Sequence, residues 1–502
     1  MHLICQDREG GEELAAAAAQ APGSVAVHVP DIAGLLPVFV KDRYEGFEVK
    51  TFSELSDAEL ARYVERNVDA VREVAAAAAP DAALANHLVM GGAIAARVGL
   101  RFALKVHGSD LAYTVLPDLQ RFRPFAEEAV DAASGVLVGS AHIAARLREA
   151  VGARADGKLR LGPPGVDAAL FAPVPREQAP ARLRELAARL RELALEPAGA
   201  AQPGAQPGPA GRARLRGLGE GGAAGAAGSR AAASSWERDP AAAAAAIEWL
   251  AAAAGPRVVF VGKLILAKGV DLLLAAWPLV HARHPSARLL VAGFGGGQAA
   301  LERLWETLAE GDLSQARELA ARGRELEGGP AAPLPYLQAF LARLPPGYAE
   351  RAREAAGSVA FAGRLEHTEV GMLVPACDAL VFPSTFPEAF GMVAAEAAAA
   401  GVLPVSAAHS GAAEVSRELA RGLPAEVRGL VSFPLGEGAV PAIAERVSRW
   451  LGLDEGTRER ARRALRATAE RLWSWEGVAR GVLAASAGHL DELPRVAEMS
   501  ER

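Results

Sequence analysis

The chain has 502 residues, 51% of them hydrophobic and only 5% aromatic, with a formal net charge of −6. That length exceeds what one hydrophobic core usually serves, so two domains are expected, and the negative balance gives no general attraction to nucleic acid or anionic lipid. Alanine runs at 75–79 and 241–246 inflate the apolar share, no apolar run reaches the roughly 20 residues of a bilayer span, and no basic segment followed by an apolar stretch opens the chain. A cytoplasmic location is expected, with no transmembrane segment and peripheral membrane contact left open. Cys5 and Cys377 lie in no metal-ligand or redox spacing and read as small hydrophobes.

Residues 1 to about 170 alternate short apolar runs with helical periodicity, the pattern of a parallel sheet with crossover helices. Strands are predicted at 2–5, 24–29, 82–85, 103–106 and 135–138, and helices at 57–79 and 141–151. The rigid turn Pro163-Pro164-Gly165-Val166-Asp167 closes this block. Leu183, Leu186, Leu190 and Leu193 then recur at spacings of three and four, one apolar stripe on a helix. Residues 197–235 are rich in Pro, Gly and Ala with almost nothing to bury, which predicts a low-complexity linker. Asp239-Pro240 restarts order as an N-cap followed by proline at the first helical position.

A second alternating block, with strands predicted at 257–261, 288–292, 358–362, 379–382 and 402–405, looks doubly wound. Its second and third strands stand much farther apart than such connections usually allow, so a helical insertion is expected at about 301–356. The tail from 455, with Trp473 and Trp475, reads as helices packing back on the first domain. The expected division is therefore 1–175, then 176–238 for helix and linker, 239–454, and 455–502.

Two segments of the second block carry chemistry. In the stretch from Phe382 to Glu396 a buried strand ends in a loop, and an alanine-rich helix begins at Gly391. The free N–H groups of Ala389, Phe390 and Gly391, backed by the helix dipole, can donate to sugar hydroxyls or phosphate oxygens. Glu388 stands before that helix and Glu396 inside it, where a charge among alanines is costly without a role. The segment Gly262-Lys263-Leu264-Ile265-Leu266-Ala267-Lys268-Gly269 also joins a strand to a helix. Only six of the 54 basic residues are lysine, and two of them fall here. A compact ammonium serves phosphate as a point charge in places too narrow for a planar guanidinium, so the pair suits a diphosphate. Gly293-Phe294-Gly295-Gly296-Gly297 adds a third loop on the same edge.

In order along the chain, Gly262 to Gly269, Phe361-Ala362-Gly363-Arg364-Leu365, the Glu388 and Glu396 pair, and Ser410-Gly411-Ala412-Ala413-Glu414 resemble the family 4 glycosyltransferases. His107 within Val106-His107-Gly108-Ser109-Asp110, Gly139-Ser140, the turn ending at Asp167 and the Gly10-Gly11 pair resemble first-domain features of that family. The resemblance covers both ordered blocks but neither the linker nor the insertion. It departs from the family pattern at Lys263, where arginine is commonest, and at Ser410, which replaces the first glycine of a Gly-Gly pair.

The resemblance implies an α/β protein of GT-B type, with two Rossmann-like domains facing a central cleft and a helical insertion in the second. It implies a retaining transferase of the hexosyltransferase type, using a nucleotide-diphosphate sugar as co-substrate, with no metal or other cofactor and no nucleic-acid partner. Lys263, Lys268, Gly10 and Gly11 would hold the diphosphate, while Glu388, Ala389, Phe390 and Gly391 would hold the sugar with His107 on its other side. Glu396, Arg364 and Leu365 would hold the nucleoside. His107, Glu388 and Lys268 would carry catalysis, whose main contribution is electrostatic stabilisation of the departing nucleotide. The acceptor is a sugar, a small molecule or a lipid-linked compound that the residues do not identify. Two other readings stay open: a GT-B epimerase or phosphorylase, told apart by the need for acceptor or inorganic phosphate, and a non-catalytic sugar-nucleotide-binding protein.

Overall fold

The computed structural model describes residues 1–6, 24–39, 47–195 and 238–496. Gly10, Gly11 and the stretch 197–235 lie outside the described residues.

In the first half, β5 (Ala83–Ala85), β6 (Phe102–Val106), β7 (Gly135–Val138) and β8 (Leu159–Leu161) form a parallel sheet in that order, preceded by two separate parallel pairs. These pairs join β1 (His2–Ile4) to β2 (Ala26–His28) and β3 (Leu35–Val38) to β4 (Glu48–Thr51). The core between sheet and helices includes Phe102, Leu104, Phe122, Val136 and Leu147, all fully buried. The helix Asp57–Ala78 starts with a capping box, Ser56 accepting from Glu59 N while Glu59 reaches back to Ser56 N.

The second half has six parallel strands, β9 (Arg257–Val261), β10 (Arg288–Ala292), β11 (Val359–Gly363), β12 (Ala379–Phe382), β13 (Leu403–Ala407) and β14 (Ser432–Phe433). Their spatial order is β11-β10-β9-β12-β13-β14, so the order reverses between β9 and β12. At such a switch point the loops after the two central strands diverge to opposite sides and leave a crevice at their carboxyl ends. The loop after β9 carries the two lysines, and the loop after β12 carries Glu388.

Between β10 and β11 the chain forms four helices, Gln298–Glu310, Leu313–Arg322, Pro335–Ala342 and Tyr348–Glu354. Local signals divide this insertion into its helices. Gly311 ends the first at φ 74°, Asp312 caps the second through its carboxylate, and Pro335 opens the third. The helix Ala179–Leu195 packs on Pro240–Ala251, and Leu183, Leu186 and Leu190 join the core of the second domain.

The two helices of the tail divide between the halves. Glu455–Trp473 packs against the helices Met392–Ala399 and Ser410–Gly422, and Trp475–Ala487 lies on β5, β6 and β7. The break falls at Ser474, whose side chain caps the second helix by accepting from Gly477 N.

Candidate active site

The lysine turn is a short 3-10 segment, Leu266–Lys268, ended by Gly269 at φ 69°. A Cβ at Gly269 would collide with the Pro383 carbonyl, so the turn can dock on the β12 loop only with glycine there. Thr385 N and Phe386 N both donate to Ala267 O, at 2.9 and 3.2 Å. Docked this way, Lys268 Nζ stands 2.6 Å from Glu388 Oε1, an ion pair with side chains 26% and 17% exposed. Ser384 Oγ donates to the same carboxylate oxygen at 2.6 Å. Both bonds fall on Oε1, which leaves Oε2 without a protein partner among the described residues. Lys263 is exposed on the same loop and forms no ion pair among the described residues.

Glu388 N donates to Ser410 Oγ at 2.8 Å, and Gly411 N donates to Glu388 O at 2.9 Å. Beyond that point the amides of Ala389, Phe390 and Gly391 donate to no protein group among the described residues. They precede the helix Met392–Ala399, whose N-cap Gly391 has φ 111°. Unspent donors and the positive end of the helix thus open on the crevice that holds Lys268 and Glu388. Phe390 is buried and meets Trp473 edge to face at 5.6 Å, which anchors the loop from behind.

At the other end of the crevice, Glu396 is buried on that helix and its Oε1 lies 3.1 Å from His367 Nε2. The hydrogen bond to Glu396 raises the His367 pKa above its ordinary value. Arg364 pairs with Glu366 at 3.1 Å and lies 5.4 Å from the centre of the Phe294 ring, which joins the turn after β11 to the glycine loop after β10. Leu365 is half-buried against the core. Glu388, Ala389, Gly391 and Glu396, four of the residues expected at sugar and nucleoside, thus lie on one loop and the helix that it opens.

The first domain meets this surface at Ala389. A Cβ on Gly108 would come within 2.9 Å of Ala389 Cβ, and Ser140 Oγ donates to Ala389 O at 2.6 Å. His107 immediately precedes this contact. Its Nε2 is 3.0 Å from Asn86 Oδ1, and its ring centre is 4.7 Å from that of His87. Burial pushes the His107 pKa down to about 4, with His87 adding to the shift, so the ring is neutral near pH 7. His87 Nδ1 in turn lies 2.6 Å from the fully buried Asp110 Oδ1, whose other oxygen accepts from Leu88 N at 2.8 Å.

Sequence reasoning missed His87, His367 and an aromatic pair at the mouth. Tyr113 and Phe386 stack across the domains with ring centres 6.4 Å apart and planes at 8°, although both are over two-fifths exposed. None of the four stands in a recognisable spacing. Phe386 alone had a signal, an apolar residue two places before Glu388 in a loop that ends at the crevice.

The family described as Glycosyl transferases group 1 matches residues 349–465, and a second family of the same description matches residues 255–318. Glycogen synthase of Mycobacterium tuberculosis, from strains CDC 1551 / Oshkosh and H37Rv, is 30% identical over 212 residues. That match covers 41% of this chain and 40% of the relative, so the chain spans about two-fifths of the length of these relatives. Sucrose-phosphate synthase of Thermosynechococcus elongatus is similar in structure over 98% of both chains, at 17% identity and a TM-score of 0.50. HepE of Anabaena, solved in complex with UDP-glucose, covers 98% of this chain and 99% of its own, at 17% identity and a TM-score of 0.51. The family matches within the second domain, taken with likeness to glycosyltransferase structures along nearly the whole chain, give this protein a GT-B fold and a resemblance to the group 1 glycosyltransferases.

Proposed function

We propose that the protein is a glycosyltransferase that takes a sugar from a nucleotide-diphosphate donor and transfers it with retention of anomeric configuration. The observation that carries this reading is the Lys268–Glu388 pair at the switch point, set beside three amides with no protein partner among the described residues. Relatives described as glycogen synthase, and a solved neighbour holding UDP-glucose, support a donor of this class.

In the proposed mechanism Lys268 exchanges part of its contact with Glu388 for the donor diphosphate. Glu388 Oε2 and the amides of residues 389–391 accept from and donate to the sugar hydroxyls. Neutral His107 offers a hydrogen bond rather than a charge to the other face of the sugar. As the glycosidic bond to phosphate lengthens, negative charge grows on the leaving oxygen, and Lys268 with the helix N-terminus stabilises it more than the ground state. Lys263 lies free to assist. Glu396 takes the ribose hydroxyls, and Arg364 with Leu365 borders the base. The reading includes turnover without a divalent metal and a cytoplasmic setting, and it leaves the acceptor open.

The test is Lys268→Ala beside the control Lys158→Ala, whose ammonium binds the carbonyls of Val130 and Asp131. A hydrogen bond to a charged group contributes about 1.5 to 3 kcal/mol, so kcat/KM for the best donor of a nucleotide-sugar panel should fall at least about tenfold. Lys158→Ala should keep its rate, and wild-type turnover should survive chelation. Wild-type kinetics in Lys268→Ala would remove the diphosphate site, and a loss after chelation that magnesium restores would remove metal independence.

A further inference from the structure

The helical insertion between β10 and β11 meets the lysine turn through the segment after its second helix. After the helix Leu313–Arg322 the chain turns at Gly323, forms a 3-10 turn over Arg324–Glu327, and leaves through Gly328. This turn is held in place by Arg324 N donating to Ala332 O at 2.9 Å and Leu334 N donating to Ala320 O at 2.9 Å. Its last residue, Glu327, points inward with a side chain only 9% exposed. Glu327 Oε2 accepts from Leu266 N at 2.8 Å, and its Oε1 accepts from Arg324 Nε at 3.3 Å.

Leu266 opens the 3-10 turn that carries Lys268. In that turn Lys268 N and Gly269 N bond to the carbonyls of Ile265 and Leu266, but the first amide has no partner within the turn, and Ile265 has no side chain able to cap it. Glu327 supplies the missing acceptor from a distant part of the chain. The same carboxylate borders Gly297, where a Cβ would lie 3.4 Å from Oε2 and 2.9 Å from Leu264 O. One side chain thus touches both the lysine loop and the glycine loop. On its far side the lysine turn is held by the Pro383 to Phe386 loop, through the bonds of Thr385 N and Phe386 N to Ala267 O. The turn that aims Lys268 is clamped between Glu327 and the β12 loop. Arg324 balances the charge of Glu327, so the clamp adds little negative potential beside a diphosphate.

We propose that Glu327 is a positioning residue of the donor site: from the insertion, its carboxylate caps Leu266 N and fixes the turn that presents Lys268 to Glu388 and to the donor diphosphate. The proposal rests on the donor reading above. It gives a role to the buried carboxylate that the insertion turns toward the sheet edge.

The experiment compares Glu327→Ala, Glu327→Gln and the exposed control Glu325→Ala in the full chain. The first readout, hydrogen exchange of the peptide spanning Leu266 to Gly269, needs no donor. The second is kcat and KM for the best donor, with inorganic pyrophosphate binding as a probe that ignores the base. Glu327→Ala should speed exchange in that peptide and lower kcat about tenfold, the effect of one charge-assisted bond to backbone, while thermal unfolding changes little. Glu327→Gln, which keeps an acceptor oxygen, should recover most of the rate, and Glu325→Ala should match wild type. Unchanged exchange, unchanged kcat, or a Gln variant as impaired as Ala would each overturn the proposal. A Lys268→Ala variant with wild-type kinetics would instead overturn the donor reading, even where the exchange result holds.

Discussion

Ser410 sits where the family pattern has glycine, and its φ of 52° shows what that glycine serves. A side chain in the left-handed region costs roughly 1 kcal/mol, and here the cost is offset because Ser410 Oγ accepts from Glu388 N at 2.8 Å. Ser410→Gly trades the bond for relief of strain and should leave stability almost unchanged. Ser410→Ala keeps the strain, loses the bond and should be about 1 kcal/mol less stable than the glycine variant. Equal midpoints for the two in denaturant unfolding would show that the strain is not real. Gly411 answers to a different constraint, since a Cβ there would collide with the Ala389 carbonyl. His367 offers a second residue-level test. Because Glu396, and more weakly Asp167, raise its pKa, the His367–Glu396 attraction is complete below the ordinary histidine value of 6.5 and fades as pH rises through the raised one. Donor affinity should strengthen over that same rise, as pH passes above 6.5 and through the raised value and Glu396 is released to the ribose. Calorimetric titration should find the slope in wild type and a flat profile in His367→Ala; a slope that survives the substitution would assign it to another group.

At the scale of elements, the second domain was legible because its strands are long apolar runs bounded by glycine loops. The strands predicted at 257–261, 288–292 and 379–382 match β9, β10 and β12 to the residue. The same runs place the lysine and glutamate loops on one edge, so the meeting of Lys268 and Glu388 followed from topology. What escaped was short or depended on distant partners. β3 contains Pro37, β8 has three residues and β14 two, too few for an alternating pattern to show. Glu327 was one glutamate among many in a charged helical stretch, and only the folded insertion brings it to Leu266 N. The pairing of His87 with His107 likewise depends on β5 lying beside β6, which spacing along the chain does not express.

For the whole molecule, Glu414 makes a two-point contact between the halves. Its two carboxylate oxygens accept from Ala141 N at 2.7 Å and His142 N at 2.9 Å, the first amides of the first-domain helix Ala141–Val151. A carboxylate there satisfies orphan donors and meets the positive end of the helix dipole. Glu414→Ala should therefore shift the protein toward an open cleft by about tenfold in population, seen as a larger radius of gyration in small-angle scattering and a higher donor KM. If both stay at their wild-type values, the contact is incidental to closure.

The chain crossings lie near the same contact, since a Cβ at Gly139 would stand 3.8 Å from both Pro164 and Ala389 O. The chain leaves the first half near Val166 and returns to it at Ser474, and these two crossings lie side by side. Val166 N donates to Trp473 O at 2.7 Å, and a Cβ at Gly165 would come within 2.5 Å of the Trp475 ring. Val166 and Ser474 form an isolated parallel bridge, so the outgoing and returning strands of chain are tied to each other where they cross. The two crossings, the Glu414 bonds and the bond of Ser140 to Ala389 O therefore fasten one region of the interface at several points, so strain at any one of them is shared by the others.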